Sequence, residues 1–191
     1  GLPVTVARLI PESEPVNADG LRYPLVVKAL GLNHKSDAGG VLLNLAHAAQ
    51  LTQAVADLRA RLAPPAVAIE EQAPVRDGVE LIVGCRHDPA FGPLVMVGFG
   101  GIYAEILRDT AVALGPISEE DAEALIRSLR GAPLLSGARG RPVLDTAGAA
   151  AFTSRLSLLA ASHPELAALE VNPLLVLPER VMALDARMTL G

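Results

Sequence analysis

Hydrophobic positions along this chain follow two periods, and each change of period marks a new element. Residues 24–30 (PLVVKAL) form a nearly continuous apolar run, which predicts a buried strand. VTVARLI at 4–10 predicts a shorter strand closed by the Pro- and Glu-rich turn at 11–15, and VLLNL at 41–45 another. Over 46–62 the period lengthens: Leu51, Val55, Leu58 and Leu62 recur at three- and four-residue spacing, an amphipathic helix that Pro64 and Pro65 stop. Strands are predicted over 66–70, 79–87 and 93–98, with turn signals at Asp77-Gly78 and Asp88-Pro89. GFGGIYAEILRDTAVAL at 98–114 reads as a glycine turn followed by two short β segments. Ser118 and Asp121 have the capping-box spacing and predict a helix over 119–130. A Gly-, Pro- and Arg-rich loop at 131–142 leads to a further helix near 145–162. Two strands, 166–177 and 180–189, joined at Pro178-Glu179, close the chain.

Strands alternating with helices give an α/β (α+β) architecture. Pro64, Pro65 and Pro74 around a short strand predict a hinge in 63–74, between an N-terminal lobe at 1–72 and a C-terminal lobe at 73–191. Composition agrees: 51% hydrophobic and 19% charged residues support a sizeable core. A net charge of −5 offers no basic footprint, so no nucleic-acid partner is expected. The single cysteine, Cys85, excludes an internal disulfide framework and a Cys-rich zinc site, and in an apolar strand it reads as a small buried hydrophobe. No basic segment followed by a long apolar one opens the chain, and no window reaches about 18 apolar residues, so neither a signal peptide nor a membrane span is expected. A cytoplasmic location is. Gly1 is not a natural start residue, which fits a piece of a larger protein.

Several groups could carry chemistry. Lys28 interrupts the apolar run: either an anion or carboxylate meets it, or it snorkels to water at a strand edge. The loop G31-L-N-H-K-S-D-A-G-G40 follows, with glycines whose amides can converge on phosphate, Lys35 adding charge, and His34 at its centre. That imidazole is either a solvated loop residue or a nucleophile toward a phosphoryl group. No Walker A string is present. In LEVNPL at 169–174, alternation sends Glu170 and Asn172 to one face, and a hairpin can bring Asp185 beside them. The cluster is either a solvated sheet face or an oxygen set suited to Mg²⁺. Glu70 and Glu71 end one strand and Glu80 lies in the next, as surface acids or as groups that contact adenine and ribose. His47, His87 and His163 read as solvent-facing.

The strings YPLVVKALGLNHKSDAGGVLLNL, GVELIVGCRHDPAFGPLVMVGFGGIYAEILRD and LEVNPLLV…ALDARM closely resemble the ATP-grasp domain of NDP-forming acyl-CoA synthetases, of the ADP-forming acetate–CoA ligase type. Succinyl-CoA synthetase β subunits are more distantly similar. The resemblance covers essentially the whole chain and implies an ATP-grasp fold, two lobes around a nucleotide cleft. It implies the reaction acyl-CoA + ADP + phosphate ⇌ acid + CoA + ATP, with energy passing through phosphohistidine. By the same resemblance His34 is the second histidine of the relay, Lys28 the phosphate-binding lysine, and Gly39-Gly40 the phosphate-covering turn, with Lys35 in the same loop. Glu71 and the residues after it correspond to the adenine-reading hinge, with Glu70 before it, Glu80 to a ribose contact, and Asn172 and Asp185, with Glu170 beside them, to magnesium ligands. ATP or ADP and Mg²⁺ are the implied cofactors.

The implied partners are CoA-binding and ligase domains, in the same parent chain or an α subunit, which bring the CoA thioester and the carboxylic acid. The sequence departs from the family pattern in lacking the helix before the Gly1-Leu2-Pro3-Val4 start and the helix usual before Tyr23. Two other parents are compatible with it. One is an ATP-grasp-like sensory domain fused to a GNAT-type acetyltransferase, the other an ATP-grasp ligase that uses an acyl-phosphate without phosphohistidine.

Overall fold

The computed structural model describes residues 2–31, 38–101 and 108–191. It divides into two compact units, Thr5–Ala73 and Pro74–Gly191, the second including the opening Gly1–Val4.

In the Thr5–Ala73 unit, strands β1 (Ala7–Pro11), β2 (Leu25–Ala29), β3 (Val41–Leu45) and β4 (Ala66–Glu71) form an antiparallel sheet of order β1-β4-β2-β3. Helix α1 (Ala48–Leu62) presents Leu51, Val55 and Leu58 to Leu25, Val27, Val67 and Ile69, which share one face of the sheet by strand alternation. Val26 and Lys28 therefore lie on the opposite face. The strand expected at 4–10 begins only at Ala7, because Val4 instead bridges Ala183 in the other unit's sequence block. The helix expected from 46 begins at Ala48: His47 is extended (φ −159°), and its Nδ1 accepts the Gln50 N–H at 3.4 Å as an N-cap.

In the Pro74–Gly191 unit, β5 (Val79–Asp88), β6 (Gly92–Phe99), β7 (Thr110–Leu114), β8 (Leu166–Val176), β9 (Val181–Ala183) and β10 (Ala186–Leu190) make a second antiparallel sheet. Its order is β10-β8-β5-β6-β7, with β9 also paired to β8. Helices α2 (Glu119–Arg127) and α3 (Thr146–Ser162) cover one face. Ile126, Phe152 and Leu156 pack there against Leu81, Val83, Cys85, Val97, Phe99 and Val171. Ser118 and Asp121 form the expected capping box.

Two expectations are corrected here. Helix α2 stops at Arg127 rather than 130, because the amides of Arg130 and Gly131 donate to the Asp109 carboxylate at 3.0 and 2.7 Å instead of continuing the helix. The strand expected at 180–189 splits into β9 and β10 around Leu184 and Asp185. The break lies opposite an extra residue in β8, where pairing with β5 slips between Val83↔Val171 and Leu81↔Leu174. Of the two β segments expected after the glycine turn, β7 is one, and the other falls on 102–107, outside the described residues. No helix among the described residues is long and apolar enough to cross a membrane.

Candidate functional site

A carboxylate meets Lys28. Its Nζ donates to Glu70 Oε2 at 2.7 Å, with the two side chains 12% and 11% exposed. Thr5 Oγ1 donates to the same oxygen at 2.7 Å. The antiparallel register sets this up: Glu70 stands opposite Val26 and Ala68 opposite Lys28, so lysine and glutamate are diagonal neighbours on the face away from α1. Glu71, one residue on, points to the other side. It receives the N–H of Arg22 at 3.0 Å and its guanidinium at 3.3 and 3.1 Å, and these bonds hold its carboxyl below the usual range. Next, Gln72 exchanges bonds with Asn44: Gln72 Nε2 donates to Asn44 Oδ1 at 2.9 Å, and Asn44 N donates to Gln72 Oε1 at 2.6 Å.

The glycine loop is anchored at both ends. Gly31 adopts φ +74°, and a Cβ on it would press Pro65 Cγ at 3.0 Å. At the far end Gly40 O accepts from Ala29 N at 2.8 Å, and Arg61 Nη2 donates to Gly39 O at 3.0 Å. His34 and Lys35 lie outside the described residues.

In the Pro74–Gly191 unit Glu80 alternates with the core residues Val79 and Leu81, so it lies on the face away from α2 and α3. Gly100 N donates to Glu80 O at 2.8 Å, and a Cβ on Gly101 (φ +59°) would collide with Glu80 Oε2. The positive φ at this position favours glycine. Partial burial pushes the Glu80 carboxyl up.

Glu170 and Asn172 share that face, each alternating with a core residue of β8, and Asn172 Nδ2 donates to Glu170 Oε1 at 3.2 Å. Asn172 N donates to Asp185 O at 3.0 Å, and Asp185 Oδ1 receives the Ala186 N–H at 3.1 Å. The β8 irregularity and the β9–β10 break thus bring the three residues together. Two carboxylates and an amide are hard oxygen donors, the set a divalent cation prefers. Among the described residues no group of three His, Cys, Asp or Glu side chains could hold a metal ion. With only two carboxylates, an ion at this set would complete its shell with phosphate and water.

Sequence reasoning missed Thr5, Asp109 and Arg61. The partners of Thr5 and Asp109 lie 65 and about 21 residues away, so no local pattern signals them. Arg61 is one of two basic residues in the last turn of α1, an ordinary place for arginine. Cys85 is buried and its thiol is pushed up to about 12.

Known proteins share both the sequence and the fold. The family profile described as ATP-grasp domain matches residues 1–190. The β subunit of ADP-forming acetate–CoA ligase I from Pyrococcus furiosus is 37% identical over 189 residues, covering 94% of this chain and 81% of that protein. ADP-forming acetate–CoA ligase I from Archaeoglobus fulgidus is 34% identical over 197 residues; the match takes in 99% of this chain but only 28% of that protein's length. Among solved structures, acetyl-coenzyme A synthetase 1 of Ca. Korarchaeum cryptofilum, in complex with coenzyme A, Ca-AMPCP and HgCl+, has a TM-score of 0.86 at 30% identity, over 100% of this chain and 87% of that chain. Another structure of the same protein holds coenzyme A and Mg-AMPPCP with its phosphohistidine segment pointing towards the nucleotide-binding site (TM-score 0.83, 32% identity, 100% and 86% covered). By profile, sequence and fold, this chain belongs to the ATP-grasp domain family, in the form found in the β subunits of ADP-forming acetate–CoA ligases.

Proposed function

We propose that this chain is the nucleotide-binding component of an NDP-forming acyl-CoA synthetase, passing a phosphoryl group between ATP or ADP and a phosphohistidine. In the direction of ATP synthesis, the N–P bond of phosphorylated His34 breaks as a terminal oxygen of ADP forms the new O–P bond. The imidazole nitrogen leaves with the electron pair. Transfer of this kind depends on positioning and charge neutralisation rather than on further covalent chemistry by the protein.

The roles divide by unit. Lys28 and the Gly39-Gly40 turn bind phosphate, with Lys35 adding charge in the same loop. The strand end at Glu70 and Glu71 serves the adenine side and Glu80 the ribose. Glu170, Asn172 and Asp185 would hold Mg²⁺, which when bound neutralises phosphate charge. The Mg-AMPPCP and Ca-AMPCP of the similar structures support this assignment. CoA-binding and ligase domains, in the parent chain or an α subunit, supply the acyl and CoA chemistry. A cytoplasmic setting fits the lone reduced cysteine.

The observation that carries this reading is the buried Lys28–Glu70 pair: a rigid strand aims an ammonium out of an apolar run, which a purely structural strand does not need. The test is incubation of the complete enzyme with γ-labelled ATP and magnesium, followed by assay of acid-labile protein-bound phosphate. We expect label on His34 and loss of both label and turnover in His34→Ala. Turnover that survives in His34→Ala, with no label on the wild type, rejects the relay in favour of an acyl-phosphate route.

A further inference from the structure

An ammonium buried in a sheet requires a carboxylate, but a carboxylate alone leaves the four-carbon stem of a lysine room to wander. Here the carboxylate is itself held. Thr5 and Lys28 donate to one and the same oxygen, Glu70 Oε2, each at 2.7 Å. Two donors converging on a single oxygen fix its position and the plane of the carboxylate, and they share its charge, so neither is gripped as tightly as it would be alone. The arrangement is built into the sheet. β1 pairs Ala7 with Glu70, which brings the Thr5 end of the chain alongside, while β2 presents Lys28 from the other flank of β4. Thr5 is half-buried, and Glu70 is buried.

From these contacts we infer that Thr5 and Glu70 are positioning residues for Lys28. Glu70 sets where the ammonium stands, and Thr5 sets the Glu70 carboxylate, so that a nucleotide phosphate meets a lysine already oriented. The inference rests on the reading of Lys28 as a phosphate ligand, and it gives Thr5 a role through another residue rather than a contact with nucleotide.

The test uses the complete enzyme with magnesium, titrated calorimetrically with ADP and ATP, as wild type, Thr5→Val, Thr5→Ser, Lys28→Met and the Thr5→Val/Lys28→Met double variant. Valine keeps the shape of threonine and replaces the hydroxyl by a methyl group, and Thr5→Ser serves as the control for folding. Loss of one hydrogen bond of this class predicts nucleotide binding weaker by about five- to tenfold in Thr5→Val. KM for nucleotide rises in the same proportion while kcat stays within about twofold, the pattern of a lost binding interaction. Thr5→Ser restores affinity to within about twofold, since it keeps the donor. In the Lys28→Met background Thr5→Val adds no further weakening, because its effect runs through the lysine. Wild-type affinity in Thr5→Val overturns the inference, and so does an equal loss with and without Lys28, which would mark a merely structural hydroxyl. If Lys28→Met binds nucleotide normally, the phosphate reading of Lys28 fails and the positioning role falls with it. If Lys28→Met binds weakly while Thr5→Val is unaffected, only the positioning role fails.

Discussion

Two carboxylates of the Pro74–Gly191 unit meet burial in opposite ways. Asp109 is only 6% exposed, and burial pushes its carboxyl up. The amides of Gly131 and Arg130 and the Arg130 guanidinium outweigh that, and the net result lies below the usual range. Glu80 is half-buried, and its carboxyl is pushed up, because desolvation meets no compensating donor among the described residues. Donors, more than depth, decide whether a buried acid stays charged. Asp109 is spent on the fold: it stops α2 and ties the start of β7 to the loop after the helix. Glu80 is held on the face away from α2 and α3 against a glycine turn, where a ligand donor would relieve it.

The widest gap between the two acids should appear on truncation. Asp109→Ala strands two part-buried amides and is expected to cost about 3 kcal/mol, whereas Glu80→Gln should cost nothing. Urea unfolding of both variants checks this, and comparable losses would dissolve the contrast. Next in size, Gly131→Ala places a Cβ 2.6 Å from the Phe99 ring, under the amide that binds Asp109. Overpacking of this kind costs about 1–3 kcal/mol, read as a lower midpoint of unfolding.

Acid titration sharpens the comparison further. With its folded pKa below the unfolded value near ~3.9, Asp109 contributes stability that is present above that pH and is lost as pH falls through the folded pKa. Asp109→Asn should flatten that acid limb. Glu80 has the reverse sign. Its folded pKa lies above the unfolded value near ~4.3, so stability declines as pH rises from there through the folded pKa. The smallest effect is accordingly a slight gain of stability at neutral pH in Glu80→Gln, accompanied by weaker nucleotide binding in the complete enzyme. A variant less stable at neutral pH than wild type would contradict the assignment.

Legibility in the sequence followed the range of each interaction. The apolar run around Lys28, the period of α1 and the Ser118–Asp121 box are local, and the elements they predict formed. The Glu170/Asn172/Asp185 gathering was readable from strand alternation plus one turn. What was hidden depended on distant partners. The true end of α2 is set by Asp109, and the break at Leu184-Asp185 by an extra residue in β8. The cap on α1 escaped because histidine is not among the usual capping residues, although its ring nitrogen accepts like any other. The Glu70–Lys28 pair was half legible: the lysine called for a carboxylate, but which acid answered depended on the register of β2 against β4.

Cys85 has a practical use that follows from where it sits. It is the chain's single thiol, set opposite Val95 and Leu169 in the larger core, with its ionisation suppressed. A thiol-modifying reagent therefore finds no target in the native protein and a single one once this sheet opens. The rate of labelling becomes a clock for the opening of the Pro74–Gly191 unit, with no engineered probe. Added nucleotide should slow that clock if it binds this unit only when folded.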